Sequence, residues 1–227
     1  TMLQTCFKAW PSEDLRQQNA KDSKAFQTIT PRLQTKHLTA HATKPWVTHG
    51  RCPWCAGLAK GSPVQLRPYQ DEAADFLYER DRAMILAPVG AGKTAITLTA
   101  MQDMLFNEEV GRFLVLAPKR VCTDVWPVEQ PKWAPFHEIA VAVGTPKQRL
   151  AALNSDARIV VSNYDNIQWL AEQKLDFDAI VFDELTRLKN PSGTRFKSLL
   201  KVLEPMTIRW GLTGSFTSNG LEDVFGQ

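Results

Sequence analysis

The chain has no apolar run that approaches the length of a membrane span, and its first residues lack a signal-peptide layout. Four cysteines in 227 residues exclude a disulfide-stapled scaffold and point to a reducing, cytoplasmic setting, the host cytoplasm if the chain is viral. There is no internal repeat and only one C-x-x-C. Charge of either sign is not in excess overall, at +3, but it is unevenly placed. Residues 1–62 hold nine Lys/Arg against three Asp/Glu, and residues 63–227 hold eighteen against twenty-one. The basic segment suits either contact with nucleic acid or a solvated tail. With 44% apolar residues, the remainder is rich enough to bury one good core.

What is present begins with "MILAPVGAGKTAI", residues 84–96. An apolar run is followed by Ala87, Gly90, Ala91 and Gly92, then by Lys93 and Thr94. Glycines without side chains let backbone N–H groups turn toward an anion. The lysine adds a mobile positive charge, the threonine a hydroxyl for a divalent metal, and a helix starting here its positive end. This is a layout for the phosphates of a nucleoside triphosphate. The general G-x-x-x-x-G-K-[ST] pattern fails by one residue at Ala87, whereas A-x-x-G-x-G-K-T fits fully.

From Val64 onward, β-rich runs alternate with helical segments. "AMILA", "RFLVLAP", "IAVAVG", "ARIVVSN", "FDAIVFDE" and "TIRWGLTGS" read as strands. Between them come "KTAITLTAMQDMLF", read as amphipathic, the Pro-interrupted "VCTDVWPVEQPKW", "PKQRLAAL", "YDNIQWLAEQ" and "GTRFKSLLKVL". "RPYQDEAADFLYERD" precedes the first strand as a helix, and "SEDLRQQNAKDSKAF" reads as a further helix in the basic segment. The expected fold is α/β: a P-loop NTPase with a parallel sheet and helices on both faces, over residues 63–227. Residues 1–62 are expected to form a small irregular segment. Ligands of such sheets bind at the carboxyl ends of the strands. There lie Gly90–Thr94, Pro118–Arg120, Ser162–Tyr164, Asp183–Glu184 and Thr213–Ser215.

"AIVFDELTRLKN" sets Asp183 and Glu184 directly after a strand. Two carboxylates are needed for phosphoanhydride hydrolysis: one to hold Mg²⁺ and one to orient or deprotonate the attacking water. In the amino-terminal segment, Cys52 and Cys55 of "HGRCPWCAG" have the shape of a zinc knuckle. His49, His41, His37 or Cys6 would have to complete it, and the alternative is two free thiols. No βαβ unit flanks the pair to suggest a thioredoxin-like role. His137 reads as a surface residue.

In their order, these motifs resemble the first RecA-like domain of the superfamily 2 DNA-dependent ATPases, in the Snf-type branch found in phage and prophage genomes. "LRPYQ" resembles the Q motif, which implies adenine reading by Gln70 with Arg67 and Tyr69 in the base pocket. "APVGAGKT" is similar to motif I and implies ATP and Mg²⁺, with Ala87, Gly90, Ala91, Gly92, Lys93 and Thr94 on the nucleotide and Thr94 and Asp183 on the metal. "LAPKRV" and "VSNYDNI" resemble motifs Ia and Ib, which implies that Lys119, Arg120 and Asn163 meet a DNA or RNA backbone. "DELT" departs from DEAD and DEAH and so from the RNA-unwinding branch; the resemblance gives catalysis to Lys93, Asp183 and Glu184. "GLTGS" resembles motif III, which couples nucleotide state to the nucleic-acid track through Thr213 and Ser215. The usual Thr-Pro is here Ser215-Phe216, which keeps a hydroxyl and loses the rigid turn.

The family motor works between two RecA-like domains, the second of which supplies arginines to the transferring phosphoryl group. The chain starts Thr1-Met2 and stops shortly after motif III, so a piece of a longer helicase or translocase is expected. Should an arginine be supplied in cis, Arg187, Arg195 and Arg209 are the candidates. The alternative function is a nucleic-acid-binding module with an inactive ATPase.

Overall fold

The computed structural model describes residues 7–9, 65–188 and 194–214. Cys52, Cys55, Ser215 and the expected helix of the basic segment lie outside these residues.

Helix α1 (Pro68–Tyr78) opens with Pro68, whose missing N–H is no loss in a first turn. The Arg67 N–H is satisfied by the Gln70 side chain at 2.8 Å. It buries Gln70, Ala73, Ala74, Leu77 and Tyr78, an i, i+3, i+4, i+7, i+8 stripe. Strand β2 (Arg82–Leu86) leads through the glycine-rich loop into α2 (Lys93–Phe106). Helix α2, expected to be amphipathic, buries Ala95, Ile96, Thr97, Leu98, Ala100, Met101, Met104 and Leu105, much more than one stripe. It is a core helix, packed beneath α1 and α4.

The chain continues through β3 (Phe113–Ala117), α3 (Lys119–Asp124), α4 (Trp126–Trp133), β4 (Ile139–Ala142) and α5 (Pro146–Leu153). Then follow β5 (Ile159–Asn163), a 3₁₀ turn at Tyr164–Asn166, α6 (Ile167–Leu170), β6 (Ala179–Asp183), α7 (Thr194–Leu203) and β7 (Ile208–Thr213). The helix expected over "YDNIQWLAEQ" is thus a 3₁₀ turn and four α-helical residues. The Asn166 amide donates to Ala142 O, Ser162 Oγ and Asn163 Oδ1, side-chain bonds that favour a tight turn over a regular first helical turn.

Six strands are parallel, as expected of the doubly covered α/β sheet. A seventh, β1 (Phe7–Ala9), pairs antiparallel with β2 at the edge and was not foreseen in the basic segment. The sheet order is β1-β2-β7-β6-β3-β5-β4. Every residue of β3, β5 and β6 is buried, as strands of a sheet covered on both faces are, including the polar Ser162, Asn163 and Asp183 at the carboxyl ends. The consecutive strands β2 and β3 are separated by β7 and β6, so the last strands fill a gap opened by the first. That crossover brings Leu86, Asp183 and Thr213 to the carboxyl ends of three adjacent strands.

Candidate functional site

The loop between β2 and α2 turns twice through the left-handed region, at Gly90 (φ 84°) and Gly92 (φ 83°). A side chain at either would be strained, which accounts for the glycines. Gly92 is the N-cap of α2, so Lys93 and Thr94 stand in its first turn, where unpaired N–H groups face outward. The Lys93 ammonium donates to Ala87 O at 2.9 Å and Pro88 O at 3.2 Å. It is folded onto the loop whose phosphate ligand it would meet. Gln70 is buried, and its Nε2 donates to Ala91 O at 2.9 Å; the Tyr69 hydroxyl donates to the same oxygen at 3.2 Å. The Q-motif residues are therefore latched to the glycine-rich loop, and the Gln70 amide keeps one N–H and one carbonyl lone pair for a base.

Asp183 ends β6 and is buried. Its Oδ2 accepts from the Trp126 indole N–H at 3.0 Å. Burial pushes the Asp183 carboxyl above its ordinary value; the Trp126 hydrogen bond and the Lys93 charge oppose this, and the Glu184 charge adds to it. A carboxylate in that setting is undercompensated, and a cation would relieve it. Thr94 and Asp183 offer hard oxygen donors, the set that suits Mg²⁺. Among the described residues there is no cluster of three or more His, Cys, Asp or Glu side chains placed to hold a metal ion.

Glu184 has φ 63°, in the left-handed region that a non-glycine residue rarely occupies. Its carboxylate accepts from the Thr213 hydroxyl at 3.4 Å, while the Tyr164 hydroxyl donates to Asp183 O at 2.8 Å and reaches Glu184 O at 3.5 Å. The Ala87 N–H donates to Thr213 O at 3.0 Å. A Cβ on Gly214 would meet Ala87 O at 3.7 Å and Lys93 Nζ at 3.8 Å. Strand β7 thus touches both halves of the site.

The structure brings together Gln70, Ala87, Gly90, Ala91, Gly92, Lys93, Thr94, Asp183, Glu184 and Thr213. Lys119 and Arg120 are exposed at the start of α3, also at the carboxyl edge, whereas Asn163 is buried and its side chain is engaged with Asp165 and Asn166. Arg67 is exposed beside Gln70. Arg209 lies at the amino end of β7, away from the glycine-rich loop, and its guanidinium donates to Met206 O and Leu203 O. His137, expected at the surface, is half-buried, and burial followed by the Arg158 charge lowers its pKa. Cys122 is buried, which pushes its thiol up to about 12. A cavity of about 450 Å³ opens at the amino ends of β3, β5 and β6. Its Arg112 is committed to Leu153 O, Ser155 O and Ala157 O and offers nothing to a triphosphate.

Trp126 and Tyr164 are the residues that sequence reasoning passed over as supports of the acidic pair. The one available signal was general: a tryptophan or tyrosine in a core needs a hydrogen-bond partner.

Residues 63–218 match the family model described as type III restriction enzyme, res subunit. The chain is 40% identical over 173 residues to putative protein p41 of Acyrthosiphon pisum secondary endosymbiont phage 1, covering 71% of this chain and 38% of that protein. It is 28% identical to the chromatin remodeling factor mit1 of Schizosaccharomyces pombe, covering 70% of this chain and 12% of that one. The Sulfolobus solfataricus SWI2/SNF2 ATPase core in complex with dsDNA superposes with a TM-score of 0.63 at 25% identity, over 72% of this chain and 35% of that one. The chain therefore spans well under half the length of each of these relatives.

Proposed function

The chain belongs to the type III restriction enzyme res-subunit family and is a superfamily 2 domain of Snf type, and from that premise we propose that it is the ATP-binding domain of a DNA-dependent ATPase acting as a helicase or translocase. The observation that carries the reading is the meeting of Lys93, at the start of α2, with Asp183, Glu184 and Thr213 at the carboxyl ends of β6 and β7. Lys93 exchanges its loop carbonyls for the triphosphate. Thr94 and Asp183 would hold Mg²⁺, which when bound would neutralise charge on the triphosphate. Glu184 orients the attacking water and accepts its proton, and Gln70 selects adenine. Lys119 and Arg120 meet the backbone of the DNA, and Thr213 links the Glu184 carboxylate to the nucleotide loop. A second RecA-like domain provides the further cation that the transferring phosphoryl group requires.

Support for DNA comes from the structural neighbour solved with dsDNA and from the exposed cations at the same edge of the sheet. No helix among the described residues is long and apolar enough to cross a membrane. The reading is tested on the 227-residue chain with labelled ATP and a labelled duplex. Saturable Mg·ATP binding is expected, together with duplex binding whose salt slope shrinks by about 2 when Lys119 and Arg120 both become Ala. A chain that binds no ATP at millimolar concentration would overturn it.

A further inference from the structure

Trp126 opens α4 and is wholly shielded from solvent. A buried indole needs an acceptor for its N–H, and a backbone carbonyl usually serves. Here the acceptor is the side chain of Asp183, 57 positions along the chain, at 3.0 Å. The helix that carries Trp126 follows α3 directly: Val125 closes one and caps the other. Trp126 therefore sits on the same short helical run as Lys119 and Arg120, the exposed cations at the carboxyl edge of the sheet.

We propose that Trp126 is a positioning residue for the Mg²⁺ site: its indole N–H fixes the Asp183 carboxylate in one orientation, and its helix ties that carboxylate to the segment bearing Lys119 and Arg120. The inference rests on the nucleotide reading above and adds a residue to it. A carboxylate that ligates a metal is itself held by hydrogen bonds, and such outer partners are worth roughly 10–100-fold in metal affinity. Burial supports the role. At a depth that disfavours the charged carboxylate, a donor fixed by core packing is present before the metal arrives, and no side-chain entropy is lost in recruiting it. Tyr164 braces the same residue from the other side through its carbonyl, so the backbone and the carboxylate of Asp183 are anchored separately.

A tryptophan that only filled space would leave metal dependence untouched when replaced by another aromatic ring, which separates the two roles. The experiment compares the full chain with its W126F variant, titrating fluorescent ATP in EDTA and across a Mg²⁺ series. Affinity in EDTA, set by the loop and Lys93, should be unchanged. The Mg²⁺ midpoint should rise by roughly 10–100-fold. An unchanged midpoint in a W126F chain that still melts cooperatively overturns the proposal while leaving the nucleotide reading intact. A wild-type chain that binds no ATP at any Mg²⁺ concentration brings down the nucleotide reading and the proposal with it. Should W126F fail to fold, ¹⁵N-indole spectra of wild type and D183N decide. Of the seven tryptophan signals, the one displaced by D183N should also move when Mg²⁺ is added to the ATP-bound wild-type chain. If that signal stays in place, Trp126 does not sense the metal and the proposal falls.

Discussion

Replacing Glu184 tests the backbone of the site separately from its chemistry. At φ 63° the residue carries a Cβ in a region where an L-residue is disfavoured by roughly 1–2 kcal/mol. Glu184→Ala and Glu184→Gly both remove the carboxylate and its contact with Thr213, and both keep the carbonyl that Tyr164 approaches. They differ only in the Cβ. In ordinary helix or strand backbone, Gly is about 0.5–1 kcal/mol less stable than Ala because it loses more freedom on folding. Here the strain term is larger and opposite in sign, so Gly should be the more stable of the two by on the order of 0.5–1 kcal/mol. For a chain of this size that is about 1–4 °C in melting temperature. Nucleotide-free thermal melts and urea titrations of the two variants measure it, and equal m-values would exclude a change in the unfolded state. An alanine variant as stable as the glycine variant, or more so, would refute a left-handed Glu184.

Lys93→Ala removes a charge-assisted contact of about 1.5–3 kcal/mol, so Mg·ATP affinity should fall at least tenfold; an unchanged dissociation constant in a fluorescent-ATP titration rules out the phosphate-loop role. Gln70→Ala should erase a preference for ATP over GTP, because the carboxamide can donate to and accept from adenine at once; equal wild-type affinity for both nucleotides, read by competition, argues against base reading. Asp183→Asn should raise the melting temperature of the metal-free chain at neutral pH: a carboxyl raised by burial binds more protons folded than unfolded, so wild-type stability drops as pH climbs from the ordinary Asp value through the raised one. That advantage should vanish below the ordinary value, and a gap constant from pH 3 to 8 in EDTA would contradict the sign.

The six parallel strands were legible because each is a short β-rich run ended by turn or polar residues, with β3 apolar throughout and β5 and β6 polar only at their carboxyl ends. Strand β1 was not, since Phe7–Ala9 is three residues long and shows no period; only the free edge of β2 makes it a strand. The glycine-rich loop and the acidic pair could be read because their chemistry fixes residue types at fixed spacing. What supports them could not. Trp126 reaches Asp183 because β3 lies beside β6, and Tyr164 reaches the same residue because β5 follows β3 in the sheet. Alternation of strands and helices announces a parallel sheet but not the order of its strands, so contacts across that order have no local signature. Asn163 illustrates the same limit. The resemblance to motif Ib implied that it meets a nucleic-acid backbone, while at the end of β5 it is buried with its side chain bonded to Asp165 and Asn166.

Three unfavourable features of the described residues lie at the candidate nucleotide site. Asp183 is a carboxylate buried beyond what its partners compensate, Lys93 rests its charge on two carbonyls, and Glu184 stands in a disfavoured backbone region. A cation answers the first and a phosphate the second. The third persists only because its neighbours over-determine it. Those neighbours are strands without exposed residues: β6 ends at Asp183, and β7 beside it is buried at Leu212 and Thr213. Strand β7 is also hydrogen-bonded to both flanking strands, to β2 in the register Leu86–Thr213 and to β6 in the register Asp183–Leu212. A displacement of the loop after β2 is therefore felt at Thr213 through the Ala87 N–H, and at Glu184 through the Thr213 hydroxyl, without any side chain having to cross the sheet. The sheet order that sequence could not disclose is what links the loop after β2 to Thr213 and, through it, to the Glu184 carboxylate.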